Sequence, residues 1–295
     1  MVWRTAQRLH VALAGRPLTT CDLRWPSLAT LDLTGQTVLE VASAGKHLLT
    51  RLDGAVTVHS HLRMEGSWRV HASARLSRRT LEAPTIRAVL GNPDWTAVGD
   101  RLGMLDVVPT AGEDALVGHL GPDLLGPGWD PATAADRLRA DPARPIGEAL
   151  LDQRVLAGAG TFYMCELLFL RGVTPWTPVA ESGDVDALVD LLHRLILTNR
   201  DRAVQVTTGY ARQGRQQWVH ARSGNPCRRC GTTIRVARIG PPPTDRVAFY
   251  CPSCQRGPTP TDDGRAQRPL GAPARAPTGR RRTGVPGAPG RRPVG

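Results

Sequence analysis

Four cysteines near residue 250 constrain the fold of this 295-residue chain more than any other feature. Cys227 and Cys230 form one C-x2-C pair, Cys251 and Cys254 form a second, and twenty residues separate the two pairs. A zinc ion binds four thiolates in a tetrahedron, and two such pairs supply them from the ends of a β-hairpin. The spacing therefore predicts one structural Zn²⁺ held by all four thiolates.

The residues between the two cysteine pairs have the pattern of the hairpin itself. The segments TTIRVARI and RVAFY alternate apolar and polar residues as strands do, and GPPPTD between them is typical of a turn. Disulfide bonds are the alternative use of these cysteines. Because the sequence shows no signal-peptide pattern, and disulfides belong to exported proteins, zinc is favoured.

The middle of the chain predicts two helices joined by a glycine-rich turn. The segment LLDQRVLAGAGTFYMCELLFLR indicates a helix from about Ile146 to Leu156, a turn at Gly158 and Gly160, and a second helix from Phe162 to Arg171. Thr161 occupies the expected N-cap position of the second helix. Because a tight turn before a helix presents free backbone N–H groups, this segment is a candidate phosphate-binding site.

Upstream of residue 112 the sequence changes to strand patterns. In AVTVHSHLRMEGSWRV, successive residues alternate between two faces of a strand. One face is mostly apolar, and the other carries Thr57, His59, His61 and Arg63. The two histidines have the spacing of metal ligands, but no carboxylate or cysteine stands near them in the sequence. They are therefore interpreted as strand histidines. A serine hydrolase is not supported, because no G-x-S-x-G segment occurs.

The balance of charge indicates a polyanionic partner. The formal net charge is +12, and no basic amphipathic helix is evident, so nucleic acid is favoured over a membrane surface. No run approaches the roughly 20 apolar residues that a membrane-spanning helix needs. We therefore expect a cytoplasmic protein that, in a bacterium, is associated with the nucleoid.

Lys46 is the single lysine of the chain, beside 37 arginines. Arginine stays protonated at biological pH, whereas the compact ammonium of lysine can lose its proton and attack a carbonyl. The contrast indicates that Lys46 has a role that arginine cannot fill. Chance survival in an arginine-biased composition is the alternative.

Residues 257–295 have a different composition from the rest of the chain. They are rich in arginine, proline and glycine and offer almost nothing to bury. This composition predicts a disordered tail that could hold phosphates without specificity. A neutral appendage is the alternative.

Six short motifs occur along the chain in a characteristic order. They are GKHLL, HLRMEG, GDRLG, LLDQ with GAGTFY, WVHARSGNPC and RVAFYCPSCQ. In residues and order they resemble the formamidopyrimidine-DNA glycosylase and endonuclease VIII family, and the endonuclease VIII side more closely. The match runs from about Val2 to Gln255 and excludes the tail.

The resemblance implies an α+β multidomain fold. Its parts are an N-terminal β-sandwich of catalytic type over residues 1–112, a helix–two-turn–helix DNA-binding domain over 113–222 and a zinc-finger hairpin over 223–256. It implies binding of double-stranded DNA with a damaged base or abasic site in the cleft between them, and we expect a monomer. The implied activity is base-excision repair of oxidised bases, by base flipping, glycosidic cleavage and β/δ-elimination at the abasic site.

The resemblance also implies roles for residues near the lesion. Lys46 matches a lysine that contacts a phosphate at the lesion and assists β-elimination. Arg246 matches the zinc-hairpin arginine that grips the lesion phosphates and is tied to δ-elimination. Arg63, Met64 and Glu65 occupy the loop that fills the gap left by the flipped base, where Met64 is the candidate wedge.

Further DNA contacts are implied by the same matches. Arg101 occupies a phosphate-binding position, and Leu102 stands where relatives place an apolar or aromatic wedge. Gly160 and Thr161 begin the helix that meets a DNA phosphate, although the family usually has asparagine at the position of Thr161. The hydroxyl of Thr161 therefore replaces one side-chain contact.

The N-terminal residues depart further from the family pattern. Family members begin Met-Pro-Glu-Gly-Asp-Thr or similar, with the proline amine as nucleophile and the glutamate handling proton transfer, whereas here the first helix is under way by Val2. Either the true start lies upstream, or the chain is a non-catalytic reader of damaged or abasic DNA. A third hypothesis, a zinc-ribbon binder of single strands, is weakened because only 4% of residues are aromatic.

Overall fold

The computed structural model describes residues 1–260, and residues 261–295, most of the predicted tail, lie outside the described residues. The strands are β1 (Thr20–Leu23), β2 (Val38–Ala44), β3 (His47–Leu52), β4 (Val56–His61), β5 (Ser67–Ala72), β6 (Ile86–Gly91), β7 (Trp95–Asp100), β8 (Met104–Pro109), β9 (Arg235–Ile239) and β10 (Arg246–Tyr250). The helices are α1 (Val2–Leu13), α2 (Arg78–Leu81), α3 (Asp114–Val117), α4 (Pro131–Arg139), α5 (Ile146–Leu151), α6 (Thr161–Arg171) and α7 (Val185–Asn199). Within residues 1–260, no helix has the length and apolar character to cross a membrane.

The N-terminal part is a sandwich of two antiparallel four-stranded sheets. Their strand orders are β1-β6-β7-β5 and β2-β3-β4-β8. Both sheets contribute to one aliphatic core, which α1 joins through Ala6, Leu9 and Leu13. These residues recur at the spacing of one helical face. The predicted N-terminal β-sandwich is confirmed.

The helical domain follows the sandwich, and both ends of its central turn differ from the prediction. Helix α5 ends at Leu151 rather than Leu156, because Asp152 is extended and its carboxylate accepts the backbone N–H of Arg154. Helix α6 begins at Thr161, so Gly160 is the N-cap and Thr161 is the first helical residue. The hydroxyl of Thr161 therefore makes no capping bond, and the predicted threonine cap is wrong.

Strands β9 and β10 form the predicted hairpin, in the register Arg246↔Ile239. The hairpin shares one hydrophobic core with the helices, to which it contributes Ile239 and Phe249. The indole of Trp176 also donates to the carbonyl of Arg238 on β9 at 3.1 Å. The position of Arg246 is therefore set by packing against the helical domain.

The chain remains bonded to the helical domain just beyond the hairpin. The hydroxyl of Thr174 donates to the carbonyl of Pro258, and the backbone N–H of Thr174 donates to the carbonyl of Arg256. Residues 257 and 258, assigned to the tail by composition, thus lie against the loop that follows α6.

Candidate nucleic-acid interface

Lys46 lies in the tight turn between β2 and β3, on the side of the sandwich that meets the helical domain. The preceding Gly45 has φ +57°, and its N–H donates to Asp123 Oδ2 over 2.8 Å. A Cβ added at Gly45 would lie 3.1 Å from the Cβ of Ala157, so this close approach requires glycine. Asp123 therefore fixes the turn of Lys46 against the helical domain.

The amine of Lys46 lies at the N-terminus of α6. A Cβ added at Gly160 would be 3.6 Å from Lys46 Nζ, and no side chain caps this helix. The first backbone N–H groups of α6 are thus left for a ligand, and the helix dipole favours a negative one. Burial, with a smaller contribution from the charge of Arg246, lowers the pKa of Lys46 from 10.5 to about 8.

Gln153 holds the turn that places the start of α6. Its amide oxygen accepts the N–H of Gly158, and its amide nitrogen donates to the carbonyls of Leu151 and Ala159, each at 3.0 Å. Gly158 has φ +100°, which favours glycine. One half-buried side chain, that of Gln153, therefore organises the glycine-rich turn, and LLDQ is its signal in the sequence.

Arg246 is exposed at the first position of β10. Its guanidinium donates to the carbonyls of Thr244 and Asp245 at 2.6 and 3.1 Å. Its charge is near enough to contribute to the lowered pKa of Lys46. The structure thus brings Lys46, Gly160 and Arg246, which are distant in sequence, to one place.

Two adjacent loops of the sandwich carry the other predicted contacts. Arg63 and Met64 lie in the β4–β5 loop, where Met64 is 95% exposed and Arg63 has φ +50°. Arg101 is exposed in the β7–β8 loop with φ +49°. A Cβ at Gly103 would meet the Arg63 side chain at 2.5 Å, so the loops are in contact. The two loops thus offer one exposed apolar side chain and two exposed cations.

Leu102 is not on that surface. It is only 4% exposed and belongs to the sandwich core, where it and Trp68 both lie above Gly99. The apolar side chain is more stable in this core than in water, so the wedge predicted at Leu102 is corrected to a core residue that supports the loop.

A histidine cluster beside Lys46 was missed by sequence reasoning. His59 is fully buried, with Nδ1 3.1 Å from Asp106 Oδ2 and Nε2 2.8 Å from His47 Nδ1. The rings of His61 and His119 stand edge-on to His47, with centroids 5.0 and 6.2 Å away. The carboxylate was missed because Asp106 is 47 residues from His59 in sequence. Antiparallel pairing of β4 with β8 makes them neighbours.

Burial, more than any neighbouring group, keeps His47 neutral. The pKa of His47 is lowered from 6.5 to about 4, first by burial and then by His59, His61, His119 and Lys46. Burial and Lys46 also lower the pKa of His61. These rings are therefore uncharged near neutral pH.

Glu166, in α6, is a second residue that sequence reasoning did not assign. It is fully buried, and its carboxylate accepts the N–H groups of Trp218, Val219 and His220 at 2.8 Å and the hydroxyl of Thr207. A buried charge with four donors is well satisfied. Glu166 thus anchors the segment that leads to the first cysteine pair.

The four cysteines converge as predicted. Their ligand atoms all lie within 4.8 Å of one another, and the separations of Cys227 from Cys254 and of Cys230 from Cys251 are 3.9 and 3.5 Å between Sγ atoms. Zinc–sulfur bonds of about 2.3 Å in a tetrahedron require sulfur separations of about 3.8 Å. The donor set and its spacing therefore fit one zinc ion.

Comparison with known proteins gives close relatives over most of the chain. The family of the formamidopyrimidine-DNA glycosylase N-terminal domain matches residues 2–98. The chain is 54% identical to a probable endonuclease 8 2 of Streptomyces coelicolor, over 90% of this chain and 95% of that one. It is 47% identical to the DNA-(apurinic or apyrimidinic site) lyase Nei2 of Mycolicibacterium smegmatis, over 86% of this chain and 96% of that one.

More distant relatives and solved structures agree with this. A formamidopyrimidine-DNA glycosylase of Cereibacter sphaeroides is 32% identical over 84% of this chain and 95% of its own. The Lactococcus lactis formamidopyrimidine-DNA glycosylase, solved non-covalently bound to DNA containing an abasic site, has the same fold, with a TM-score of 0.69 and 22% identity over 87% of this chain and 98% of that one. The chain is a member of the formamidopyrimidine-DNA glycosylase and endonuclease VIII family and is closer to endonuclease VIII.

Proposed function

We propose that this protein is a DNA glycosylase of base-excision repair that removes oxidised bases and cleaves the strand at the resulting abasic site. Family membership supports the reaction class. The observation that carries the proposal for this chain is the convergence of Lys46, the uncapped start of α6 and Arg246 at one place between the domains. Two cations and a helix N-terminus form a site for the phosphates of one distorted nucleotide.

The β4–β5 and β7–β8 loops would act on the opposite side of the flipped nucleotide. A flipped base leaves a gap in the stack, and an unbranched apolar side chain can enter it. The exposure of Met64 supports this role, and the flanking cations Arg63 and Arg101 suit the phosphates on either side. Neither arginine reads sequence, which fits an enzyme that acts on lesions in any context.

Zinc would be held by Cys227, Cys230, Cys251 and Cys254. When bound there with four protein ligands it has no open position, so its contribution is to fold stability. The hairpin that it closes carries Arg246 at the start of β10. The cysteines thus act on DNA only through the placement of that arginine.

Strand cleavage at an abasic site needs an amine that forms a Schiff base with the deoxyribose C1′. The family resemblance gives this step to an N-terminal proline and gives Lys46 a secondary role in elimination. The lowered pKa of Lys46 supports that role, because part of the population is a free amine near pH 8. A guanidinium at this position would stay protonated.

The proposed function places the protein on chromosomal DNA, and hence in the bacterial cytoplasm at the nucleoid. We propose that it acts as a monomer. All the candidate contacts described above come from one chain, so none requires a second copy.

The test measures binding and cleavage of a duplex with one abasic site. Arg246→Ala should weaken binding to this duplex by about tenfold, or about 1.4 kcal/mol, and binding to intact duplex by less. Arg79→Ala, an exposed change in α2, is the control that removes the same charge elsewhere on the surface, and it should leave both affinities nearly unchanged. Equal losses on the two duplexes would contradict a lesion-centred Arg246.

Lys46→Arg tests strand cleavage separately from DNA binding. It should retain most of the affinity and slow strand cleavage, because the positive charge is kept and the exchangeable proton is lost. Borohydride trapping of the covalent adduct reports whether an amine has attacked. Tight binding to abasic DNA without cleavage or trapping, by the protein and by a version that begins Pro-Glu-Gly-Asp-Thr before Val2, would identify a non-catalytic reader instead.

A further inference from the structure

The first turn of α1 is joined to the helical domain by two arginine contacts. The guanidinium of Arg200, the residue that follows α7, lies over the indole of Trp3 with its carbon 4.5 Å from the ring centroid. In the opposite direction, the guanidinium of Arg4 donates to the backbone carbonyl of Arg202. Each domain therefore supplies one arginine to the other. Two such contacts fix an orientation, whereas a single one would allow rotation about it.

The loop that receives these contacts is held firmly to the end of α7. Asn199, the last residue of the helix, is only 5% exposed. Its amide oxygen accepts the N–H of Val206 at 2.6 Å, and its amide nitrogen donates to the carbonyls of Leu195 and Val206 at 2.8 and 2.9 Å. The N–H of Arg202 donates to the carbonyl of Asn199 at 3.2 Å. The loop therefore carries the position of α7 to the first turn of α1.

The indole of Trp3 is the partner that fixes the Arg200 guanidinium. Trp3 is half-buried, and a planar, weakly hydrated guanidinium is attracted to the face of an aromatic ring. The second partner of Arg200 is Asp201, whose carboxylate lies 3.4 Å from Nε and is 67% exposed. An ion pair that is so exposed to water contributes little. The stacking on Trp3 therefore gives Arg200 most of its hold on α1.

The first turn of α1 lies at the cleft that contains Lys46. Trp3 lines a groove between the two domains together with Ser43 of β2. Ser43 precedes Lys46 by three residues, which span at most about 11 Å. The N–H and the hydroxyl of Thr5 both donate to the carbonyl of Met1, at 3.0 and 3.2 Å. The N-terminal residue therefore follows the position of the turn that the arginines hold.

We propose that Trp3, Arg4 and Arg200 are positioning residues that hold the N-terminal end of α1 in the cleft, where the cleavage reaction needs an amine. The inference rests on the proposed function, because it concerns the amine that attacks the abasic site. The three residues act through the placement of α1. Their loss should leave the phosphate contacts of Lys46 and Arg246 in place and lower the fraction of molecules in which the amine is aligned for attack.

The first experiment tests the contact without any assay of activity. In the full chain, NMR measures hydrogen exchange at the N–H of Thr5, which reports on the first turn of α1. Arg200→Gln removes the cation and should speed this exchange by about two- to fivefold. Arg200→Lys keeps a cation and should give an intermediate rate, and Arg194→Gln, at an exposed arginine of α7, is the matched control. Unchanged exchange in Arg200→Gln would overturn the proposal.

The second experiment is a double-mutant cycle on borohydride trapping of an abasic-site duplex in single turnovers. It uses the full chain and the version that begins Pro-Glu-Gly-Asp-Thr before Val2. Trp3→Leu and Arg200→Gln should each slow trapping by about fivefold with unchanged duplex affinity, and the double variant should be no slower than either one. Unchanged affinity separates positioning from a general loss of folding. Losses that multiply to about 25-fold would show that the two residues act independently.

The outcomes distinguish this proposal from the proposed function. Independent effects of Trp3→Leu and Arg200→Gln, or normal trapping by both variants, would overturn the positioning role and leave the glycosylase assignment intact. Absence of trapping by the unaltered protein and by its N-terminally extended version would overturn the assigned function. Hydrogen exchange at Thr5 would in that case still test whether the arginine contact holds the first turn of α1.

Discussion

The β4–β5 loop of the sandwich and the first turn of α6 in the helical domain both offer contacts to DNA, but by different means. The loop offers side chains: Met64 is almost fully exposed, and Arg63 and Met64 carry no part of the core. The helix offers backbone N–H groups, whose position depends on the half-buried hydrogen bonds of Gln153 and on the packing of α6. A substitution in the β4–β5 loop removes one contact to DNA, whereas a substitution beneath the first turn of α6 displaces several backbone N–H groups.

Function and stability can therefore be separated in the first region more easily than in the second. On the sandwich loops a side chain can be changed with little effect on folding, because its neighbours are mostly water. In the helical domain the groups that place the contact are half-buried or buried, so their loss leaves hydrogen-bond donors without an acceptor. Four predictions test this separation, and the largest effect is expected first.

Removal of zinc should cause the largest loss. In small domains the binding of structural zinc contributes about 10 kcal/mol, so the apo hairpin should unfold and displace Arg246. Circular dichroism should report lost structure, and binding to abasic DNA should fall below detection. Zinc added back to the same sample is the control. Metal analysis that finds no zinc in freshly purified protein would contradict the site.

Glu166→Ala should destabilise the fold by about 3–6 kcal/mol, because it leaves one buried and two half-buried N–H groups without an acceptor. Denaturant unfolding measures the change. Glu181→Ala, which removes an exposed carboxylate from the same domain, should stay within about 0.5 kcal/mol. Similar unfolding free energies for the two variants would show that the hydrogen bonds of Glu166 do not stabilise the fold.

The pH dependence of binding should report on Lys46, at the junction of the two regions. Phosphate favours the ammonium form, so affinity for abasic DNA should fall above pH 8, by up to about tenfold per pH unit. For folding the sign is opposite. The lowered pKa disfavours the ammonium form in the folded protein, so the contribution of Lys46 to stability should improve as pH rises from about 8. Lys46→Arg should remove both trends, and their persistence would implicate another group.

Met64→Ala should have the smallest effect, and only on binding. Loss of the inserted side chain should weaken affinity for a flipped or abasic site by about 1–2 kcal/mol, with unfolding free energy nearly unchanged. Val11→Ala, at an exposed apolar residue of α1, is the control. An equal loss on intact duplex would argue against a gap-filling role.

Local patterns were sufficient to predict much of this molecule. The cysteine spacing predicted a metal site because all its ligands lie in one hairpin, and alternation identified β4 correctly. Leu102 could not be placed, because the difference between a wedge and a core residue depends on whether Trp68 and Gly99 lie beneath it. The end of α5 was missed because Asp152 competes for a backbone N–H with its own carboxylate.

The histidine cluster could not be predicted from local sequence patterns either. Asp106, His47, His59 and His61 come from three strands, which the pairing of β3, β4 and β8 brings together, and His119 comes from the loop after α3. The same holds for Glu166, whose partners begin 41 residues away. Long-range pairing determines such groups, so a sequence without structure shows their residue types but not their partners.

Because Lys46 is the single lysine of the chain, the candidate DNA-binding interface can be labelled selectively with an amine reagent. Apart from the α-amine at Met1, the single side-chain amine in the sequence is that of Lys46, and its lowered pKa makes it reactive at mild pH. A reagent selective for amines would therefore modify this cleft and the Met1 α-amine, while leaving the 37 arginines untouched. Occupancy of the cleft could be followed as protection of one peptide by mass spectrometry, with no engineered label on the protein.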